Sequence, residues 1–191
     1  MLEKFLISIG LKQPESVEEV MSTQQTTVRP SGENRLSDFN IHKTFYKDVD
    51  YHFIAPIQSR KLKEIVKSFK YLHTISRKKE IDILEKLDTD CNYLIQVNID
   101  NDPKKSGVTK NEVFNFYEYC IEKKIIAVGL MTIPDINSEP KTVFSEMHQI
   151  NEKLMKDYGY KGELSMGMSN DYEVALDYGA TIVRIGTKLF T

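Results

Sequence analysis

Two periods of hydrophobic spacing alternate along the chain. Phe5–Ile9 is an apolar run of strand length, and Pro14 opens a helical pattern to about Gln24 with Val17, Val20 and Met21 on one face. Thr26–Arg29 reads as a weaker strand and Gly32–Asn34 as a turn, with mixed helical signals to Tyr46. Tyr51–Ile54 is a third strand, ended by Ala55-Pro56. Leu62, Ile65, Val66 and Phe69 fall at helical spacing. Tyr71–Ile75 returns to strand, and Lys78–Leu87 to helix. Tyr93–Ile99 is the clearest strand, with Leu94, Gln96 and Asn98 on one face and Tyr93, Ile95, Val97 and Ile99 on the other. Thr109 and Glu112 have capping-box spacing before a stripe of Val113, Phe116, Tyr117 and Cys120. Ile125–Leu130 is a sixth strand. A long helix over Lys141–Tyr158 buries Val143, Met147, Ile150 and Leu154. Glu163–Ser165 and Thr181–Ile185 are strands seven and eight.

Eight strands alternating with seven helical segments predict an α/β fold with a parallel sheet, and eight units favour a closed (β/α)8 barrel. Residues 1–191 then form one domain, with no linker and no low-complexity tract. Binding sites of such barrels lie at the C-terminal ends of the strands.

The stretch Leu164–Thr187 acquires meaning from that placement. It reads as strand, Gly/Ser turn, short helix from about Asn170, strand and Gly-Thr turn. Both turns offer small residues, a hydroxyl (Ser169, Thr187) and exposed backbone N–H groups, a combination suited to a phosphate monoester. Arg184 would set a cation beside the same ligand. The competing interpretation is a plain helix cap at Ser169 and an ordinary tight turn at Gly186. Other polar residues collect at this rim: Gly32–Arg35, His52, Gln58-Ser59, Gln96, Asn98, Lys105–Gly107 and Met131-Thr132. His52 alone is more often a hydrogen-bonded barrel residue than a catalyst.

Composition removes several function classes. A net charge of -2 with scattered Lys and Arg gives no nucleic-acid footprint. No apolar run approaches the roughly 18 residues of a membrane span. Cys91 and Cys120 stand in apolar surroundings without metal-ligand spacing, which fits reduced thiols, no metal site and a cytoplasmic setting.

With these residues in view, the chain resembles the pyridoxal phosphate homeostasis protein family, related to the barrel of bacterial alanine racemase. The resemblance rests on Ser31–Arg35, Tyr51–Ser59, Leu94–Ile99 with Lys105–Gly107, Gly129–Pro134, and Leu164–Ser169 through Val183–Thr187, in order across nearly the whole chain. It implies a carrier or regulator of pyridoxal 5′-phosphate, without catalytic residues and monomeric. Its phosphate would be held by Ser169, with Met168 beside it, and by Gly186 and Thr187. Asn34 would lie near the cofactor. Arg184 would face the pyridine nitrogen and keep it unprotonated, which weakens the ring as an electron sink.

Two departures stand out. The family attaches the cofactor through a lysine three residues before a proline. Here, in Ile9–Pro14, that position is Leu11, and Lys12 is one residue late, which on a strand reverses the side chain. The family's helix before strand one is also missing from the expected elements. The alternatives are therefore a paralogue that has lost covalent binding and acts through a partner, or an amino-acid racemase. The racemase needs an acid/base group on each face of the substrate carbon, and 191 residues leave no room for the additional domain that supplies one in the larger relatives.

Overall fold

The computed structural model describes residues 5–8, 31–33, 39–40 and 50–186. Nine strands are described: β1 (Phe5–Ser8), β2 (Ser31–Glu33), β3 (Tyr51–Phe53), β4 (Tyr71–Ile75), β5 (Asn92–Asn98), β6 (Val108–Thr109), β7 (Ala127–Met131), β8 (Glu163–Met168) and β9 (Ile182–Ile185). The helices α1 (Leu62–Ser68), α2 (Lys78–Leu84), α3 (Val113–Glu122), α4 (Pro140–Tyr158) and α5 (Tyr172–Asp177) lie between them.

All strand pairs are parallel. Strands β1 to β4 pair in sequence, β4 pairs with β5, and β5, β7, β8 and β9 follow until β9 meets β1. Eight strands thus form a closed ring, the expected (β/α)8 barrel. The two-residue β6 attaches outside the ring, on the upper end of β5.

One expected turn is a strand. The glycine at Gly32 favours a turn over Gly32–Asn34, yet Ser31–Glu33 pairs with β1 on one side and β3 on the other. Two neighbouring backbones that need partners override the local preference of a glycine. The expected helix from Pro14, the strand Thr26–Arg29 and the site candidates Lys12, Asn34 and Thr187 lie outside the described residues, as does Leu11.

Side-chain alternation separates two cores. Tyr93, Ile95 and Val97 of β5, Ile99 just after it, Leu164 and Met166 of β8, and Val183 and Ile185 of β9 face outward and pack with the helices. The α3 stripe of Val113, Phe116, Tyr117 and Cys120 and the α4 residues Val143, Met147 and Leu154 cover them; Ile150 is only partly buried. Inside the barrel, Tyr71, Leu94, Met131 and Ile182 form a separate small cluster. Glu139 caps α4, accepting from the Thr142 N–H at 2.8 Å, and Pro140 follows at the first helical position.

Bulges bring the polar residues to their places. In β8, Ser165 pairs with Ile182 but Met168 with Arg184, so three steps on one strand match two on the other. Gly167 carries this bulge at φ +90°. A Cβ there would stand 2.6 Å from Ala175 Cβ and 3.0 Å from Tyr172 Cα, so α5 can close onto the strand only over a glycine. A similar shift in β4 between Leu72 and Ile75 keeps both of those residues in the outer core while His73 turns inward.

Candidate functional site

Arg184 is the centre of the site. On β9 it follows Ile182 on the inward face, and it is 3% exposed. Its Nη1 donates to the Ser165 carbonyl at 2.9 Å and to Ser165 Oγ at 2.7 Å, and Nη2 donates to the Thr132 carbonyl at 2.8 Å. The ends of β7, β8 and β9 therefore grip one guanidinium. Among the described residues, no carboxylate forms an ion pair with it. Burial pulls its pKa down to about 10, and the charge of Asp171 acts in the opposite sense. Arg184 is still a cation at neutral pH.

The two turns singled out in the sequence meet directly. The Gly186 N–H donates to Ser169 Oγ at 3.3 Å, so the ends of β8 and β9 form one feature, two residues beyond Arg184. Met168 is 44% exposed, and its N–H is taken by Asp171 Oδ1 at 2.6 Å. The helix expected from Asn170 begins at Tyr172 and has six residues. Of the predicted set, Met168, Ser169, Arg184 and Gly186 are together at one mouth. Lys12, Asn34 and Thr187 lie outside the described residues.

Below Arg184 runs a row of polar groups. Ser165 Oγ lies 2.9 Å from His73 Nδ1, and His73 Nε2 lies 2.9 Å from His52 Nδ1. His52 stacks on Tyr71 at 4.3 Å. The Tyr71 hydroxyl donates to Glu163 Oε1 at 3.3 Å, and Lys161 pairs with the same oxygen at 2.6 Å. Burial, His52 and Arg184 together hold His73 well below the ordinary imidazole range, so it is neutral. His52 is thus a hydrogen-bonded barrel residue.

Elsewhere on the rim, polarity serves the loops. Gln96 Nε2 donates to the Ser106 carbonyl at 3.0 Å, and the Asn98 amide donates to the Asp102 carbonyl at 2.8 Å and accepts from its N–H at 3.2 Å. Lys105 lies between Asp100 and Asp135, at 3.5 and 3.6 Å. A cavity of about 260 Å³ opens here, lined by Ile57, Thr74, Ser76, Arg77, Lys105 and Ser106 among others.

Comparison with known proteins places the chain. No family model matches it. The pyridoxal phosphate homeostasis protein of Aquifex aeolicus is 37% identical over 170 residues, covering 83% of this chain and 75% of that protein. The Schizosaccharomyces pombe protein of the same name is 33% identical over 186 residues, covering 91% and 78%. The chain belongs to the pyridoxal phosphate homeostasis protein family. PipY of Synechococcus elongatus, solved without PLP, superposes with a TM-score of 0.83 at 24% identity, covering 97% of this chain and 92% of that one. Its form with PLP bound gives 0.76 at 23%, with the same coverage. Alanine racemase of Corynebacterium glutamicum gives 0.72 at 14%, covering 98% and 56%. These likenesses show the barrel fold.

Sequence reasoning about this homeostasis-family chain missed His73 and Ser165. Alternation within Tyr71–Ile75 sets His73 on the face of Tyr71, and strand seven continues beyond Ser165 to Met168. A two-residue period would have found both. What it does not reveal is that they touch.

Proposed function

We propose that this chain binds pyridoxal 5′-phosphate at the C-terminal mouth and serves to buffer or deliver it, without robust catalysis. The observation that carries this is the buried Arg184: a cation fixed by Ser165 and Thr132, two residues from the joined turns of Ser169 and Gly186. A fixed cation beside a strand-end hydroxyl and backbone N–H suits an anionic ligand. Arg184 would hold the pyridine nitrogen, and Ser169 and Gly186 would hold the phosphate with Met168 beside it; the family resemblance adds Thr187 and Asn34 to that set. The Met168 N–H, already held by Asp171, contributes less than the hydroxyl of Ser169.

Bound pyridoxal phosphate supplies an aldehyde and an electron-withdrawing ring. Arg184, a donor with a pKa of about 10, leaves the ring nitrogen as an acceptor and limits that withdrawal. His52 and His73 are 2% and 0% exposed, and they hydrogen-bond along the barrel interior and offer no acid/base group at the mouth. This weighs against a racemase. Relatives carry pyridoxal phosphate in their names, and PipY has been solved with PLP bound. Lys12 is the candidate for covalent attachment. Buried free thiols at Cys91 and Cys120 fit a reducing, cytoplasmic setting, and a monomer is the expected form.

Equilibrium dialysis tests the reading. Retention of pyridoxal phosphate at micromolar concentration is expected, and none retained refutes it. Borohydride treatment followed by peptide mapping then separates covalent attachment at Lys12 from non-covalent binding. A chain that retains no cofactor points to the partner-binding paralogue, for which Leu11 at the family's lysine position is the supporting observation.

A further inference from the structure

The row beneath Arg184 constrains its own protons. A guanidinium only donates, so Ser165 Oγ accepts from Arg184 Nη1 at 2.7 Å. The Ser165 hydroxyl has one proton to place, and the acceptor within reach is His73 Nδ1 at 2.9 Å. With Nδ1 accepting, the proton of neutral His73 sits on Nε2 and is donated to His52 Nδ1, 2.9 Å away. Each of these contacts is then satisfied with His73 uncharged. The reverse order, with His73 Nδ1–H donating to Ser165 Oγ, turns two donors on one hydroxyl and strands the hydroxyl proton. All three residues are buried, at 0% for Ser165 and His73 and 2% for His52, so water cannot repair the mismatch.

We propose that His73 and Ser165 are positioning residues for Arg184. His73, protonated on Nε2, draws the Ser165 hydroxyl proton to its Nδ1, turns the Oγ lone pair to the guanidinium, and so fixes the orientation of Arg184 at the mouth. Three strands contribute: β4 brings His73, β8 brings Ser165 and β9 brings Arg184. The groups facing His73 are His52 from β3, Arg184 from β9 and the ring of Tyr71 from β4. The proton order is a property of the chain without cofactor. Its consequence for binding rests on the proposed cofactor site.

The test has two arms on the full chain. Nitrogen-15 histidine spectra without cofactor at neutral pH are expected to show His73 protonated on Nε2 and bare on Nδ1. Ser165→Ala should shift the Nδ1 signal toward that of a free acceptor, and Ser165→Thr, which keeps the hydroxyl, should restore it. His73 protonated on Nδ1, or unmoved by Ser165→Ala, overturns the proposal. In the second arm, Ser165→Ala removes the hydroxyl's bonds to Arg184 and His73 but keeps the carbonyl bond to Arg184, and is expected to weaken pyridoxal phosphate binding by about 3- to 10-fold, with Ser165→Thr near the unmodified chain. His73→Asn, whose amide can take the place of Nδ1, is expected to bind better than His73→Leu. Unchanged affinity across these variants also overturns the positioning role. Should the unmodified chain retain no pyridoxal phosphate, the cofactor reading fails alone, and the histidine spectra still decide the proton order.

Discussion

Moving a guanidinium from water into a barrel costs several kcal/mol, and hydrogen bonds to a charged group return about 1.5–3 kcal/mol each. Arg184 offsets that cost through its bonds to Ser165 and Thr132, and a ligand acceptor would add to them. Arg184→Met is therefore expected to raise the dissociation constant for pyridoxal phosphate by about 10- to 100-fold, the equivalent of one such bond. Arg184→Lys should fall between, because a point charge replaces a fork. Fluorescence titration of both variants checks this, and equal affinity for all three proteins removes Arg184 from the site. Gly167 is a residue-scale constraint of a different kind. With φ +90° and a Cβ position 2.6 Å from Ala175, Gly167→Ala should lower stability by about 1–3 kcal/mol from backbone strain alone. A urea midpoint equal to that of the unmodified chain would show that α5 gives way instead.

At the scale of elements, the site depends on bulged strands more than on helices. β8 shifts its register by one residue between Ser165 and Met168, and that shift lets Ser165 face Arg184 while Ser169 receives the Gly186 N–H. Of the helices, α4 shows how local chemistry sets an end. The Thr142 N–H bonded to Glu139 holds that carboxyl below the usual glutamate range. A carboxyl lowered in the fold stabilises above its unfolded pKa, and the contribution is lost as pH falls through the folded value. Acid unfolding of Glu139→Gln should consequently be less steep, as pH falls below the ordinary glutamate pKa of about 4.3, than that of the unmodified chain. Identical curves would mean the cap does not hold in solution.

At the scale of the whole molecule, ring closure through β1–β9 and β4–β5 encloses the polar row, and the outer core buries both thiols. Burial lifts Cys91 and Cys120 to about 12. Unfolded thiols ionise near about 8.5, so between these values the unfolded chain has released protons that the folded chain keeps. Stability then falls as pH rises, by about 1.4 kcal/mol per pH unit for each thiol, with no thiol contribution below about pH 8. Urea midpoints at pH 7.5 and 9.5 should converge in the double variant Cys91→Ala/Cys120→Ala. An undiminished difference would assign the alkaline loss to other groups.

Hydrophobic spacing was enough to identify the alternating elements, the parallel barrel and the two faces of β5, because burial on one side of a strand or helix is written locally at periods of two and 3.6. The same local chemistry marked Ser169, Arg184 and Gly186, as small residues and a cation next to strand ends. It could not distinguish a turn from a strand at Gly32–Glu33, where pairing with β1 and β3 was decisive. Nor could it join Arg184 to Ser165, His73 and His52, which lie on four strands with as many as 132 positions separating them (184 − 52). Hydrogen bonds depend on distance and angle in space, and only closure of the ring brings those atoms within 3 Å of one another.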